Sequence, residues 1–399
     1  MENLASRIDR IQPSATLEMT AKAADLKRKG LPVFNMSVGE PDLPTPQHIQ
    51  QAGIFAIQNG YTRYTPGGGT HELKQSIQNK FERDNNLHYN LDEIVVSCGG
   101  KHSLYNACQV LFQHGDEVII FSPYWVSFPD FVSVTGAKPV FVKTNANQQF
   151  EPNFQDLEKK INKNTKGIII NSPSNPTGGV WSDEAILKLL DICNNRQDIW
   201  LFSDECYEQL TYDKPFKSIA SYTNHNSKII TFQSCSKTYA MTGWRIGYIG
   251  GNKVVTKAIS KLQGQSTSCP NSIAQYAASK ALSGDQSCVE EMRKIFLKRR
   301  DLILAKINEI PDTICQTPNG AFYVFVDFNN YLNKKTPNGE LIKNSNDLSL
   351  YILKNTGVVS VAGESFGADG YIRFSYATSE QIIIEAMDLV NKALSNLSF

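Results

Sequence analysis

Ser234-Cys235-Ser236-Lys237-Thr238-Tyr239-Ala240-Met241-Thr242-Gly243-Trp244-Arg245-Ile246-Gly247-Tyr248 is the stretch on which the reading of this chain turns. An apolar run, Lys228 to Phe232, precedes it and reads as a buried strand. A second strand-like run, Trp244 to Gly250, closes it. The pattern between them predicts a loop rich in hydroxyls and glycine, with one Lys and one Arg. A lone loop lysine is ordinarily a solvated charge. Lys237, however, sits on no polar helix face and in no charge run. An amine so placed suits covalent work, in which it forms a Schiff base with a carbonyl. Arg245 offers a planar fork of the kind that grips a phosphate at two points. Together they suggest pyridoxal phosphate, which carries both an aldehyde and a phosphate.

Working outward, the flanks of this stretch alternate between strand and helix. Ile94 to Cys98, Val118 to Phe121, Val140 to Val142, Gly167 to Ile170 and Ile199 to Phe202 read as strands. The β-branched run at Gly167 to Ile170 has the unbroken apolar character of a parallel strand buried on both faces. Leu104 to Phe112, Leu157 to Ile161 and the segment capped by Asp183 read as the intervening helices. This predicts an α/β fold with a mostly parallel seven-stranded sheet between helices. Three helical patterns follow, Val254 to Leu262, Ile273 to Leu282 and Val289 to about Ile307. Beyond Pro311 strands and helices alternate in a smaller α+β unit, with Tyr371 to Ser375 read as a half-buried strand and Asn329 to Asn346 the expected disordered tip. The expected division is an arm at 1–47, a large domain at 48–295 and a small domain at 296–399.

The 399 residues suffice for two medium domains, and 41% hydrophobic residues support a sizeable core. A formal net charge of +1 gives no bulk attraction to nucleic acid or an anionic membrane. Eight scattered Cys with no Cys-x-x-Cys suit reduced thiols in the cytoplasm better than disulfides or a zinc site. No signal peptide and no apolar run of membrane-spanning length is expected.

In an alternating βα core, ligands sit at the C-terminal ends of strands. Polar residues collect at those places here. Ser97-Cys98-Gly99-Gly100-Lys101-His102 joins a strand to a helix, and its glycines let amides at a helix start approach an anion. It is not a Walker A loop, since no Ser or Thr follows the Lys. Asn171-Ser172-Pro173-Ser174-Asn175-Pro176-Thr177-Gly178 presents Asn175. Asp204 ends an apolar strand with Tyr207 three residues on, and Tyr124-Trp125 follows the Val118 strand.

Asn-Pro-Thr-Gly at 175–178, Ser-Asp-Glu at 203–205 with Tyr207, and Ser-x-Ser-Lys-x-x-x-Met-Thr-Gly-Trp-Arg-x-Gly-Tyr at 234–248 resemble the class I aminotransferases of fold type I. Pro13-Ser14-Ala15-Thr16, Gly39-Glu40-Pro41, Ser122-Pro123-Tyr124-Trp125-Val126-Ser127 and Arg373-Phe374-Ser375-Tyr376-Ala377 narrow this to the bacterial-type aspartate aminotransferases of the beta subgroup. The resemblance runs from about residue 5 to the C-terminus. It implies pyridoxal 5′-phosphate bonded to Lys237, which would also move the proton at the substrate Cα. Asp204 would face the pyridine nitrogen and keep it protonated. Tyr207 and Asn175 would bond the ring 3-oxygen, and Trp125 would cover the ring. Arg245, Ser234 and the Gly100–Lys101 backbone would hold the phosphate, joined by Tyr64 from the other subunit of a homodimer with shared sites. Arg373 would clamp the substrate α-carboxylate, with Gly39 on a closing segment.

A dicarboxylate substrate needs a second cation. Gln263 to Ser268 has no Arg, so the resemblance points to Lys101 with Ser14 and Thr16. It implies transfer of the amino group between L-aspartate and 2-oxoglutarate. Gln12 stands where the subgroup has a residue linked to prephenate, which implies arogenate formation as a second activity. Two other readings use the same Lys237 and Asp204: an aromatic or neutral amino-acid aminotransferase, and a pyridoxal phosphate-dependent lyase. A cofactor-sensing transcription regulator would need a DNA-binding region, and residues 1–30 are too short and too weakly basic to supply one.

Overall fold

The computed structural model describes residues 4–12, 15–30, 32–196, 198–223 and 228–398. Its centre is an eight-stranded sheet. The order is Ile94–Ser97, Gly247–Gly250, Ile229–Ser234, Trp200–Asp204, Thr165–Asn171, Glu117–Ser122, Lys138–Asn145 and Glu151–Pro152. The pairs from Ile229–Ser234 across to Lys138–Asn145 are parallel. Gly247–Gly250 runs antiparallel to both of its neighbours. The expected seven strands are joined by a two-residue antiparallel strand at the edge, Glu151–Pro152, too short to leave a periodic trace in sequence.

The apolar runs follow from burial on both faces. Ile168, Ile170, Ile119, Leu201 and Ile229 point into one core, while Ile169, Ile120, Phe202 and Ile230 point into another. Pleating sends successive side chains to opposite faces, so both positions must be apolar. Helices Gly100–Leu111 and Lys253–Gly264 cover one side; His71–Asn85 and Ser272–Ser283 cover the other.

A second core surrounds a four-stranded antiparallel sheet ordered Ile314–Cys315, Tyr323–Asp327, Tyr371–Ser375, Val361–Ala362. Helices Ser345–Thr356 and Glu380–Leu394 pack on it. Phe34–Asn35 pairs in parallel with Val358–Val359, and Met36 joins this core, so the N-terminal segment docks there. The 22-residue helix Ser287–Asn308 begins with Val289 in the large core and continues with Met292, Phe296, Ile303 and Ile307 in the small one.

Four local expectations need correction. Lys237 lies on a one-turn helix, Cys235–Thr238, rather than in an open loop. The strand expected from Trp244 starts only at Gly247, because Thr242–Trp244 winds into a 3-10 turn and Arg245 takes φ +58°. The strand Tyr371–Ser375, read as half-buried, is buried at four of its five residues. Asn329 to Asn346 is built rather than disordered: Asn329–Tyr331 forms a 3-10 turn, and Lys335 bridges to Leu341 and Ser398.

Among the described residues no helix is long and apolar enough to cross a membrane, and no group of three His, Cys, Asp or Glu is placed to hold a metal. All eight cysteines are free.

Candidate active site

The sheet brings its functional ends to one place. Strands Trp200–Asp204 and Ile229–Ser234 are parallel neighbours, so Asp204 and Ser234 emerge side by side. Ile94–Ser97 delivers the chain to Gly99 and the start of helix Gly100–Leu111. A cavity of about 280 Å³ opens there, lined by Gly39, Gly100, Lys101, Trp125, Asn175, Asp204, Tyr207, Ser234, Lys237, Arg245 and Arg373. Tyr64 lies outside it and is 88% exposed. Gln12 is also exposed, its backbone amide donating to the Asp130 carboxylate at 3.2 Å. Ser14 and the side chain of Thr16 lie outside the described residues.

One end of the cavity is built for an anion. The first amides of a helix have no intrahelical acceptor and carry the positive end of its dipole. Gly100 and Lys101 supply those amides, and Ser234 and Ser236 add hydroxyls at the wall. Arg245 is exposed on this side and is steadied by Nη1 donating to the Thr242 carbonyl at 2.7 Å. Two glycines make the close approach possible. A Cβ at Gly99, φ +91°, would lie 2.3 Å from Arg245 Nη2. One at Gly247 would lie 2.2 Å from the Gly100 nitrogen.

The middle holds a buried acid and a buried base. Burial pushes Asp204 up to about 7, against the pull of the Cys206 amide at 3.3 Å and the Lys237 charge. A cation facing Asp204 would return it to its ionised form. Burial also pushes Lys237 down to about 8, with Arg245 and Arg373 acting in the same direction and Glu40 opposing. Its Nζ donates to the Gly39 carbonyl. Trp125 is held edge-on by Phe128 and Phe131, at 5.4 and 5.7 Å between ring centres, and Lys101 Nζ lies 5.1 Å from its ring.

The far wall is Arg373, 1% exposed. Nη1 donates to Asn175 Oδ1 at 2.8 Å and Nη2 to the Ser37 carbonyl at 2.5 Å. Its Nε is buried with no hydrogen-bond partner among the described residues. A buried guanidinium with no carboxylate against it is costly unless an anion is meant to meet it. An anion cradle, a buried carboxylate short of a cation and an amine whose proton is loosened by burial together fit a phosphorylated pyridine aldehyde.

Segment 37–45 ties these parts together. Besides Ser37 on Arg373 and Gly39 on Lys237, Glu40 accepts from Thr242 Oγ1 at 2.6 Å. Asp42 pairs with Arg299 at 2.7 Å, and Thr45 bonds the Ala240 carbonyl and the Trp244 indole at 2.7 and 3.0 Å.

Tyr323 was not anticipated from sequence. Its hydroxyl meets Tyr207 Oη at 2.7 Å, and the Arg373 guanidinium lies 4.5 Å from its ring. In sequence it is one more apolar position of a strand. Cys206 also lines the cavity, its thiol pushed well up by burial and by the Asp204 charge.

Relatives of known kind agree with this architecture. A probable aspartate/prephenate aminotransferase of Rickettsia prowazekii is 41% identical over 399 residues, the whole of both chains. An aspartate aminotransferase of Rhizobium meliloti is 41% identical over 397 residues, 99% of this chain and 97% of that one. The crystal structure of the Rhizobium meliloti aspartate aminotransferase matches with a TM-score of 0.96 at 41% identity, covering 99% of this chain and 100% of that one. The Thermus thermophilus aspartate aminotransferase with maleate matches at 0.92 and 36% identity, covering 98% and 100%. The family model for class I and II aminotransferases spans residues 32–388, and the chain belongs to that family.

Proposed function

We propose that this chain moves the amino group between L-aspartate and 2-oxoglutarate, giving oxaloacetate and L-glutamate. The reading rests on one observation: two cations, Arg373 and Lys101, line the same cavity as the Lys237 amine. A substrate with two carboxylates and one amino group asks for that set. The cofactor of the family is pyridoxal 5′-phosphate. When bound, it supplies an aldehyde for the amino group and a ring that draws off the electron pair of the substrate Cα–H bond.

The residues take complementary parts. Lys237 Nζ secures the aldehyde at rest and, once released, takes the proton from substrate Cα. Asp204 keeps the ring nitrogen protonated, since a carboxylate in a buried site favours a cation facing it. Tyr207 and Asn175 bond the ring 3-oxygen. Asn175 gives its Oδ1 to Arg373, which leaves its amide nitrogen for this task. Trp125 covers the ring and excludes water from one face. Arg245, Ser234 and the Gly100 and Lys101 amides hold the phosphate. Arg373 takes the α-carboxylate, and Gly39 closes over it. Lys101, with Ser14 and Thr16, takes the distal carboxylate, and Gln12 is the residue linked to prephenate.

Lys101→Ala lowers kcat/KM for aspartate by roughly 10²-fold, the loss of one charge-assisted contact. It leaves activity toward phenylalanine or alanine within about threefold. Equal losses for all substrates, or none for aspartate, would favour the aromatic or neutral aminotransferase instead. The half-reaction of the purified enzyme, followed by cofactor absorbance across a substrate panel, reads this directly. Prephenate is proposed as a further acceptor, because it too carries two carboxylates. The check is arogenate formation with aspartate or glutamate as donor, and a rate no higher than the enzyme-free blank would remove it.

The working unit is proposed to be a homodimer in the cytoplasm. Tyr64 supports this, because it lies outside this chain's own cavity and is 88% exposed, so its side chain is available to a neighbouring copy. Tyr64→Phe weakens cofactor affinity by about tenfold without changing sedimentation as a dimer. An unchanged affinity would remove Tyr64 from the phosphate site. The division at 1–47, 48–295 and 296–399 is retained as a proposal, supported by the two separate cores.

A further inference from the structure

Below the cavity lies a second set of buried polar groups with no part in the chemistry above. Lys80, on the helix His71–Asn85, is 2% exposed. Its Nζ donates to Asn85 Oδ1 at 2.8 Å, to Gln233 Oε1 at 2.7 Å and to Glu208 Oε1. Asn85 Nδ2 donates to Glu208 Oε2 at 2.6 Å, and Gln233 Nε2 to Glu205 Oε2 at 3.2 Å. Glu205 also accepts from Ser203 and Ser218 at 2.8 and 2.7 Å.

Three of these acceptors are chain neighbours of cavity residues. Glu205 follows Asp204, Glu208 follows Tyr207, and Gln233 precedes Ser234. Gln233 and Ser234 are strand neighbours whose side chains turn to opposite sides, so fixing one fixes the direction of the other, while Glu205, Tyr207 and Glu208 share the short turn that follows the strand ending at Asp204. A buried ammonium is retained only where paired, and removing it leaves its partners uncompensated. We propose that Lys80 is a positioning residue of the active site: from the side away from the cofactor it locks Glu208 and Gln233, directly and through Gln233 the Glu205 carboxylate. It thereby sets the placement of Tyr207, Ser234 and Asp204 and the charge beneath them.

The inference rests on Asp204 and Tyr207 facing the cofactor, as proposed above. Burial pushes Glu205 up to about 7, with the Glu208 charge adding to it, so the charge balance of the cluster is poised near neutrality. The other charged or titratable groups facing Lys80 are Asp84 at 3.9 Å, Cys235, whose thiol feels the Lys80 charge, and the Tyr248 hydroxyl through Gln233 at 3.4 Å.

The test uses the holoenzyme and reads the pH midpoint of its cofactor absorbance, with cofactor affinity measured by titrating apoenzyme. A unit charge about 10 Å away at an effective dielectric near 20 moves a midpoint by roughly one pH unit. Lys80→Met leaves carboxylates without a counter-charge, favours the protonated cavity and raises the midpoint by about one unit. Glu208→Gln removes the closer counter-charge of the ammonium, leaving Asp84 at 3.9 Å, and lowers the midpoint. The double variant restores neutrality and brings the midpoint back to within about 0.3 unit. Cofactor affinity falls about tenfold in Lys80→Met and recovers in the double variant. Should Lys80→Met not fold, Glu208→Gln and the double variant carry the same opposition. Shifts in one common direction, or no shift in either single variant, overturn the role of Lys80. A wild type with no cofactor absorbance would overturn the aminotransferase site itself, which is a separate failure.

Discussion

Lys237→Ala folds, binds the cofactor and transfers amino groups on the order of 10⁴-fold more slowly than the wild type. That factor is the upper end of what one positioned proton-transfer group contributes, and the lost covalent attachment adds to it. Lys237→Arg stays as slow, because a guanidinium holds charge and length but gives up no proton in a protein. The pair of variants thus separates loss of the base from loss of a cation. Reduction of the wild type with borohydride followed by mass analysis places the cofactor adduct on the peptide carrying residue 237; an adduct elsewhere would end the account. The pH dependence has a fixed sign. Burial lowers Lys237 from its usual value of 10.5 to about 8, so the free amine is the minor form below 8 and the major form above. Capture of cofactor by apoenzyme therefore quickens about tenfold per pH unit below 8 and levels off above it. A rate still climbing at that slope near pH 10 would mean an amine in ordinary contact with water.

Arg373→Lys lowers kcat/KM for aspartate and for 2-oxoglutarate together, by about 10²–10⁴-fold. The α-carboxylate common to both substrates loses a two-point grip worth about 1.5–3 kcal/mol per charge-assisted bond. A lysine brings charge without the fork. Cofactor affinity stays within about threefold, because the phosphate cradle lies at the other end of the cavity. An amine donor with no carboxylate loses little, and that contrast identifies the group being held. A loss under about tenfold with aspartate would place the clamp elsewhere. Circular dichroism excludes unfolding as the cause, a needed check for a side chain 1% exposed that also braces Asn175 and Ser37.

Much of this was legible in sequence, for physical reasons. Ile168, Ile169 and Ile170 announce a parallel strand because both faces of the sheet are covered and neither face tolerates a polar residue. Asp204, Asn175 and Lys237 stand out by their company, since each ends or follows an apolar strand and the three strands are parallel neighbours. The helix His71–Asn85 leaves a weak trace in sequence. Its apolar stripe is only Leu73, Ile77 and Phe81, and its other buried positions are polar, Lys80 among them. Binary patterning reads a buried lysine as a solvated one. Tyr323 was hidden because its meaning comes from Tyr207, 116 residues away, and no local pattern encodes that pairing. The turn at Lys237 reads as a loop in sequence because one helical turn is too short to show a period.

The nine residues from Ser37 to Thr45 hold the Arg373 guanidinium, the Lys237 amine, the Thr242 turn and the long helix through Arg299. Two of those four contacts lean on backbone carbonyls rather than on a distinctive side chain. What the segment must conserve is chiefly its length: it works as a ruler whose marks are peptide units. Residue swaps along it are absorbed one at a time, whereas an insertion or deletion would slide every mark at once.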